Sequence, residues 1–169
     1  MESVLDLPEK HGRALQALLK LIPPKEFPWV LTGSGGLRLQ GVNMSVHDLD
    51  IETDEQHIRM IEKQLAEYFK VPVHAWDTEN MKSLDGKAEI EGIEVELLAE
   101  ISHLLPDGTW TGFTDFSQRL WLQWNGQSVP VFPLEIEAKA YESMGRHEKA
   151  GLIRETIRYS GKQPRRHDG

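Results

Sequence analysis

The chain has 169 residues, 39% of them hydrophobic and 27% charged, with a formal net charge of -8 and no cysteine. This is enough chain to bury one domain's core. The composition is that of a globular protein, and it excludes disulfides, thiolate nucleophiles and Cys-ligated zinc. The acidic balance disfavours a surface that holds long nucleic acid by its phosphates and points to a small molecule or a protein as partner. Met1 to Pro8 has no basic stretch ahead of an apolar run, and no segment approaches the ~20 apolar residues of a membrane span, so the expectation is a cytoplasmic protein with no membrane partner.

In chain order, Pro8 to Ile22 reads as a helix with Leu15, Leu18, Leu19 and Ile22 on one face, closed by Pro23-Pro24. Val30-Leu31 is a short buried strand that ends in the turn Gly33-Ser34-Gly35-Gly36, with a short helix over Leu37 to Gln40 and Gly41 as its stop. A strand from His47 to Glu52 follows, then a capping box at Thr53 and Gln56 and a helix whose inner face is Ile58, Ile61, Leu65 and Phe69. Val71 to Trp76 reads as a strand, and Lys87 to Ile90 and Ile93 to Leu98 as two strands around the turn Glu91-Gly92. Leu104 to Asp115, with Pro106, Gly108 and Gly112, is a loop long enough to wall a site. Arg119 to Trp124 and Gln127 to Phe132 form a hairpin on Asn125-Gly126, with Pro130 marking the second strand as an edge. Helices are expected from Pro133 to Met144 and from Arg146 to Tyr159. The expected organisation is a core over residues 1–132, a helical extension of the same domain over 133–160, and a disordered tail over 161–169.

The chemistry concentrates in residues 29–54. Asp48 and Asp50 alternate with Leu49 and Ile51, so both carboxylates share one face of a strand and both aliphatic groups the other. Aspartate is poor in strands, and a glycine turn just upstream makes a solvated edge a weak account of the pair. Downstream, Ile93, Val95 and Leu97 alternate with Glu94 and Glu96, which puts two more carboxylates on a common face. Other glycine and acid motifs fail on position. A dinucleotide fingerprint from Gly33 would need glycine at Arg38, no phosphate loop ends in Gly-Lys-Ser/Thr, and a calcium loop from Asp48 would need glycine at Thr53 and glutamate at Arg59. Arg38, Lys139, Arg146 and Lys149 are candidate phosphate contacts, and Trp110, Trp121 and Trp124 are candidates for stacking or for hairpin cross-strand pairs.

The run from Thr32 to Gly41, the loop after it and His47-Asp48-Leu49-Asp50-Ile51 resemble the Gly-Ser turn and acidic pair of the polymerase-β-like nucleotidyltransferase superfamily. The likeness is nearest to its small lincosamide and aminoglycoside nucleotidyltransferases and to the minimal nucleotidyltransferases. It continues weakly through residues 92–97, through Pro133 to Glu135, and at Tyr141 and Gly145-Arg146. It implies an α/β fold with a small mixed sheet flanked by helices. It also implies transfer of a nucleoside monophosphate from a nucleoside triphosphate such as ATP to a hydroxyl of a small-molecule acceptor, releasing pyrophosphate, with Mg²⁺ as cofactor. Asp48, Asp50 and a third carboxylate would be the catalytic and metal-binding residues. Glu96 is preferred over Glu94 for the third, because Val95-Glu96 matches the family's apolar-acid step, whereas the family often has aspartate there. Gly33, Ser34, Gly36, Arg38 and Lys139 would contact the nucleotide. The alternatives are a minimal nucleotidyltransferase antitoxin that modifies a partner toxin protein, and a nucleotide-binding module without turnover.

Overall fold

The computed structural model describes residues 6–112 and 114–162. Helix α1 (Glu9–Leu21) starts directly after Pro8, whose fixed φ suits a helix entry. Strand β1 (Val30–Thr32) leads into α2 (Gly33–Leu39), so the glycine run is itself the first turn of the helix rather than a link ahead of it. Strand β2 (Leu49–Thr53) begins one residue after Asp48, and Asp48 therefore sits in the bend that enters the strand, not within it. The reason is length: β1 has three residues, Val30 to Thr32, which pair with Glu52 to Asp50 and leave no partner for Asp48 on that side.

Helix α3 (Glu55–Gln64) is capped by Asp54, whose side chain accepts from the His57 N–H at 2.8 Å. The expected cap, Thr53, is instead the buried end of β2 and donates its hydroxyl to the Pro28 carbonyl at 2.6 Å. Phe69 leaves the helix and opens strand β3 (Phe69–Asp77). Strands β4 (Met81–Ile90) and β5 (Ile93–His103) are far longer than their apolar runs suggested. Strands β6 (Leu120–Trp124) and β7 (Gln127–Val131) form the Asn125-Gly126 hairpin, followed by α4 (Leu134–Ser143) and α5 (His147–Lys162). Residues 161 and 162 thus belong to α5, and the rest of the expected tail lies outside the described residues.

The strands form one mixed sheet in the order β3-β4-β5-β2-β1-β7-β6. Strand β7 is interior, against the expectation from Pro130. It pairs with β1 in parallel at Leu31 and Val131 alone, so Pro130 is not asked to donate to a long ladder there. The edge is β6. One face of the sheet carries Leu31, Leu49, Ile51, Val95, Leu97 and Ala99 into a core closed by α1 and α3. Within it the Trp29 indole N–H donates to the Ile22 carbonyl at 2.7 Å. The alternate residues of the same strands face the other way, beside a smaller core in which Leu37 and Val42 meet Ala138 and Tyr141 of α4 and Ala150 and Ile153 of α5.

Packing against backbone is tight at Gly36, where an added Cβ would collide with the Leu31 carbonyl oxygen. Gly36→Ala should therefore cost about 2–3 kcal/mol, read as a lower urea midpoint at unchanged slope. Gly151→Ala, in α5 with nothing within 4 Å of the new Cβ, should raise the midpoint, by up to ~1 kcal/mol, through helix propensity. Equal effects of the two would contradict this packing.

Candidate active site

Three neighbouring strands deliver the site. In β1–β2 pairing Thr32 lies opposite Asp50, and in the parallel β2–β5 pairing Asp50 lies opposite Glu96. Neighbouring strands are ~4.8 Å apart, so the end of β1, Asp50 and Glu96 form a row across the sheet. Gly33 closes the row from above. Its φ of 64° is left-handed, and a Cβ there would collide with Asp50 Oδ2, so only glycine suits the position on either ground. Asp48 sits just ahead of β2, close enough for its charge to act on Asp50.

The row is electrostatically crowded. Burial, then the charges of Asp48, Asp85 and Glu94, push the Asp50 carboxyl up to about 6, and the Lys149 charge opposes them. Burial, then the Asp85 carboxyl beside it and the charge of Asp50, push Glu96 up to about 8. Asp85 comes from β4, and its Oδ1 is buried with no hydrogen-bond partner. Glu94 behaves differently. It is exposed on β5 and its carboxylate lies 3.8 Å from Lys87 Nζ, whereas Glu96 lines the cleft.

The cleft holds about 750 Å³ and is lined on one side by Gly33, Asp50, Glu52, Asp85 and Glu96, and on the other by Glu137 and Tyr141 of α4 and Arg146 of the link to α5. Thr111, Gly112 and Thr114 of the loop after β5 form a further wall. That loop is tied down at both ends. His103 N–H donates to Thr111 Oγ1 at 2.8 Å, and the Thr114 hydroxyl donates to Glu52. Glu52 is buried and its carboxyl is raised by that burial, which the Thr114 hydrogen bond partly offsets. On α4, Glu137 is buried and accepts the Thr32 hydroxyl at 2.8 Å, and desolvation pushes its carboxyl up to about 8.

Of the residues singled out from sequence, Gly33, Asp48, Asp50 and Glu96 come together. Gly36 packs behind the turn on Leu31, and Ser34 is half-buried in the first turn of α2. Arg38 is spent on bracing the chain, donating to the Asp6 carbonyl at 2.7 Å and the Met44 carbonyl at 2.9 Å. Lys139 is exposed on α4 and is not among the cleft residues. Arg146 and Lys149 flank the Tyr141 ring at 5.2 and 5.7 Å. Trp110 lies under Lys82 Nζ and Trp121 beside the Arg119 guanidinium, while the Trp124 indole donates to Asp6 Oδ1 at 3.0 Å. Asp85, Glu52 and Glu137 were missed. Glu52 was legible as the next same-face position after Asp50, and Asp85 would have been had the alternation of Ser83, Asp85 and Lys87 been read as a strand.

A family model described as aminoglycoside-2''-adenylyltransferase matches residues 14–168. TM1012 of Thermotoga maritima, described as a nucleotidyltransferase, is 33% identical, and the match covers 94% of this chain and 99% of that one with a TM-score of 0.80. The lincomycin-bound lincosamide antibiotic adenylyltransferase LnuA shares the fold at 18% identity and a TM-score of 0.56, over 88% of this chain and 98% of that one. No curated protein matches. The superfamily resemblance carried by residues 29–54 and the expected α/β fold with a mixed sheet both hold.

The raised carboxyl of Glu137 sets a pH dependence. A carboxyl near 4.5 when unfolded and about 8 when folded binds its proton more tightly in the native chain. Its stabilising contribution is complete below pH ~4.5 and is lost as pH rises to ~8. Glu137→Gln stays neutral and can still accept from Thr32. Its stability should fall less between pH 5 and 8 than that of the wild type, by on the order of 1–3 kcal/mol. Urea midpoints that run parallel across that range would show that Glu137 does not titrate there.

Proposed function

The chain belongs to the aminoglycoside-2''-adenylyltransferase family and is a nucleotidyltransferase, and from that premise we propose that it moves a nucleoside monophosphate from a nucleoside triphosphate, ATP first, to a hydroxyl of a small-molecule acceptor. The observation that carries this reading is Asp50, held between Gly33 on one side and Glu96 on the other. A cleft of about 750 Å³ is in the range of small-molecule sites, which favours a small acceptor over a protein chain.

The residues fit a divalent cation. They offer hard oxygen donors only, their carboxyls repel one another, and Asp85 Oδ1 is buried and unsatisfied. Among the described residues no group of three such side chains is preassembled around an ion; Mg²⁺ shares its shell with water and substrate phosphates, so the carboxylates need not close around it before the nucleotide arrives. Asp48, Asp50 and Glu96 would hold it, and when bound it would neutralise phosphate charge during transfer.

The chain's own residues then have distinct tasks. The Gly33 turn lets backbone approach the phosphates, with Ser34 next to it. Arg146 lines the cleft and Lys149 acts on Asp50 by charge, which makes these two, rather than Lys139, the cations for the triphosphate. A carboxylate oxygen of Glu96, which stands opposite Asp50 and lines the cleft, takes the proton of the acceptor hydroxyl. The hydroxyl oxygen bonds to the α-phosphorus, the bond from that phosphorus to the bridging oxygen breaks, and pyrophosphate leaves.

Calorimetry with ATP and Mg²⁺ should give metal-dependent binding in the wild type and at least ten-fold weaker binding in Asp48→Asn/Asp50→Asn. The absence of metal-dependent binding of any triphosphate to the wild type would overturn the reading. Glu96→Gln should lower the single-turnover transfer rate by ~10²–10⁴ with Mg·ATP binding largely kept, while Glu94→Gln should cost less than about three-fold because its carboxylate faces solvent and Lys87. The reverse order would move the proton acceptor one pleat along β5.

A further inference from the structure

Of the three carboxylates proposed for the metal, Asp48 alone stands outside the sheet. The β1–β2 ladder ends at Thr32 and Asp50, and the β2–β5 ladder begins at Leu49 and Val95. Strand pairing therefore fixes Asp50 and Glu96, whereas Asp48 has no ladder partner on either side. It closes a segment, residues 42–48, that lies outside any helix or strand. A metal-binding carboxylate on such a segment needs other restraint, since misplacement by about 1 Å can cost ~10²-fold.

Among the described residues, two side chains hydrogen-bond to the backbone of this segment. His11 of α1 donates from Nε2 to the His47 carbonyl at 2.7 Å, one peptide ahead of Asp48. A carbonyl only accepts, so Nε2 is the nitrogen that carries the hydrogen. Arg38 of α2 donates from Nη1 to the Met44 carbonyl at 2.9 Å and from Nε to the Asp6 carbonyl at 2.7 Å. Both supports come from elements that are themselves locked in place, α1 by Ala14, Leu15 and Leu18 and α2 by Leu37 and Leu39. Asp6 also accepts the Trp124 indole N–H at 3.0 Å, which anchors the Arg38 tie as far as β6.

His11 holds this role at a cost. Its other ring nitrogen, Nδ1, is buried with no hydrogen-bond partner, a penalty that an apolar side chain would not carry. What an apolar side chain could not supply is the donor to His47. Apolar packing does hold the segment down, with Val42 and Met44 at the smaller core and Val46 at the larger. Such contacts are non-directional, whereas hydrogen bonds at Met44 and His47 fix where the chain lies along its length.

We propose that His11 and Arg38 are positioning residues of the transfer site, which hold the Met44–His47 backbone so that Asp48 meets the metal beside Asp50. The proposal rests on the nucleotidyl-transfer reading for the role of Asp48. Neither side chain lines the cleft, and both act through the aspartate. Partners that orient a metal ligand typically contribute ~10–100-fold in metal affinity, and ties to the backbone ahead of the ligand belong at the low end of that range.

The test is a double-mutant cycle on the full chain, read by calorimetric titration of ATP at a series of Mg²⁺ concentrations. Wild type, His11→Leu, Arg38→Leu and His11→Gln are each made with Asp48 intact and with Asp48→Asn. With Asp48 intact, each leucine variant should raise the Mg²⁺ concentration needed for half-maximal ATP affinity by about five-fold or more. His11→Gln, whose side-chain amide can donate to the same carbonyl, should stay within about two-fold of wild type. In the Asp48→Asn chain the leucine substitutions should change it by less than about two-fold, because the group they position is gone. Equal losses in both backgrounds, no loss with Asp48 intact, or a glutamine as poor as leucine overturns the proposal. The two sites report on one segment, so a leucine variant that fails to fold leaves the other to complete the cycle.

A second readout needs neither nucleotide nor metal. The ¹³C-methyl signal of Met44 should shift or broaden in the leucine variants relative to wild type and His11→Gln, while that of Met60 on α3 stays in place. An unaltered Met44 signal in both leucine variants overturns the proposal by itself. Failure of ATP to bind the wild type at any Mg²⁺ concentration strikes the transfer reading instead, and the Met44 signal still decides whether the two ties hold the segment.

Discussion

The parallel pairing of β2 with β5 is the constraint on which the rest depends. Side chains alternate across a strand, so burying Leu49 and Ile51 with Val95 and Leu97 under α1 and α3 obliges Asp50 and Glu96 to emerge together on the opposite face. A slip of one residue in either strand would turn carboxylates into an apolar core, at a cost of several kcal/mol per buried charge. The hydrophobic effect thus enforces a grouping of carboxylates that electrostatics alone would disperse. The antiparallel partner β1 then brings Gly33 onto Asp50 from the other side.

That arrangement stores repulsion. Asp50, Glu96, Glu52 and Glu137 all have carboxyls raised by burial around one cleft. Two of them are occupied in holding the walls in place. Glu137 joins α4 to Thr32 at the entry of the glycine turn, and Glu52 joins β2 to Thr114 of the loop. The strain is therefore not spread over the fold. It lies where a cation and phosphates would relieve it, a pattern associated with functional sites.

The walls of the cleft come from separate parts of the chain. Helix α4 and the link to α5 carry Tyr141 and Arg146 to one side of the cleft, while the bulged end of β5 and the long β4 extend the sheet face beyond Glu96. The bulge at Glu100 matters because it changes which residues face the cleft without changing the strand's place in the sheet.

The sequence by itself determined the local chemistry. The glycine turn, the carboxylates at alternate positions, the Asn125-Gly126 hairpin and the amphipathic faces of α1 and α3 are properties of neighbouring residues, and periodicity reads them directly. It also marked Glu94 and Glu96 as one face of one strand. Only the tertiary structure separates them by position: Glu96 stands opposite Asp50 and lines the cleft, whereas Glu94 faces Lys87. The same limit explains the rest. Arg38 and Lys139 carry the right charge, but what each side chain meets is settled by distant backbone, Asp6 and Met44 for Arg38 and open surface for Lys139. Pro130 signals an edge only if its neighbour is known, and here β6 is the edge. Glu137 had no local signature, and the alternation that carries Ser83 and Asp85 shows their shared face but not their burial, since burial is a property of the packed chain rather than of any short stretch of it.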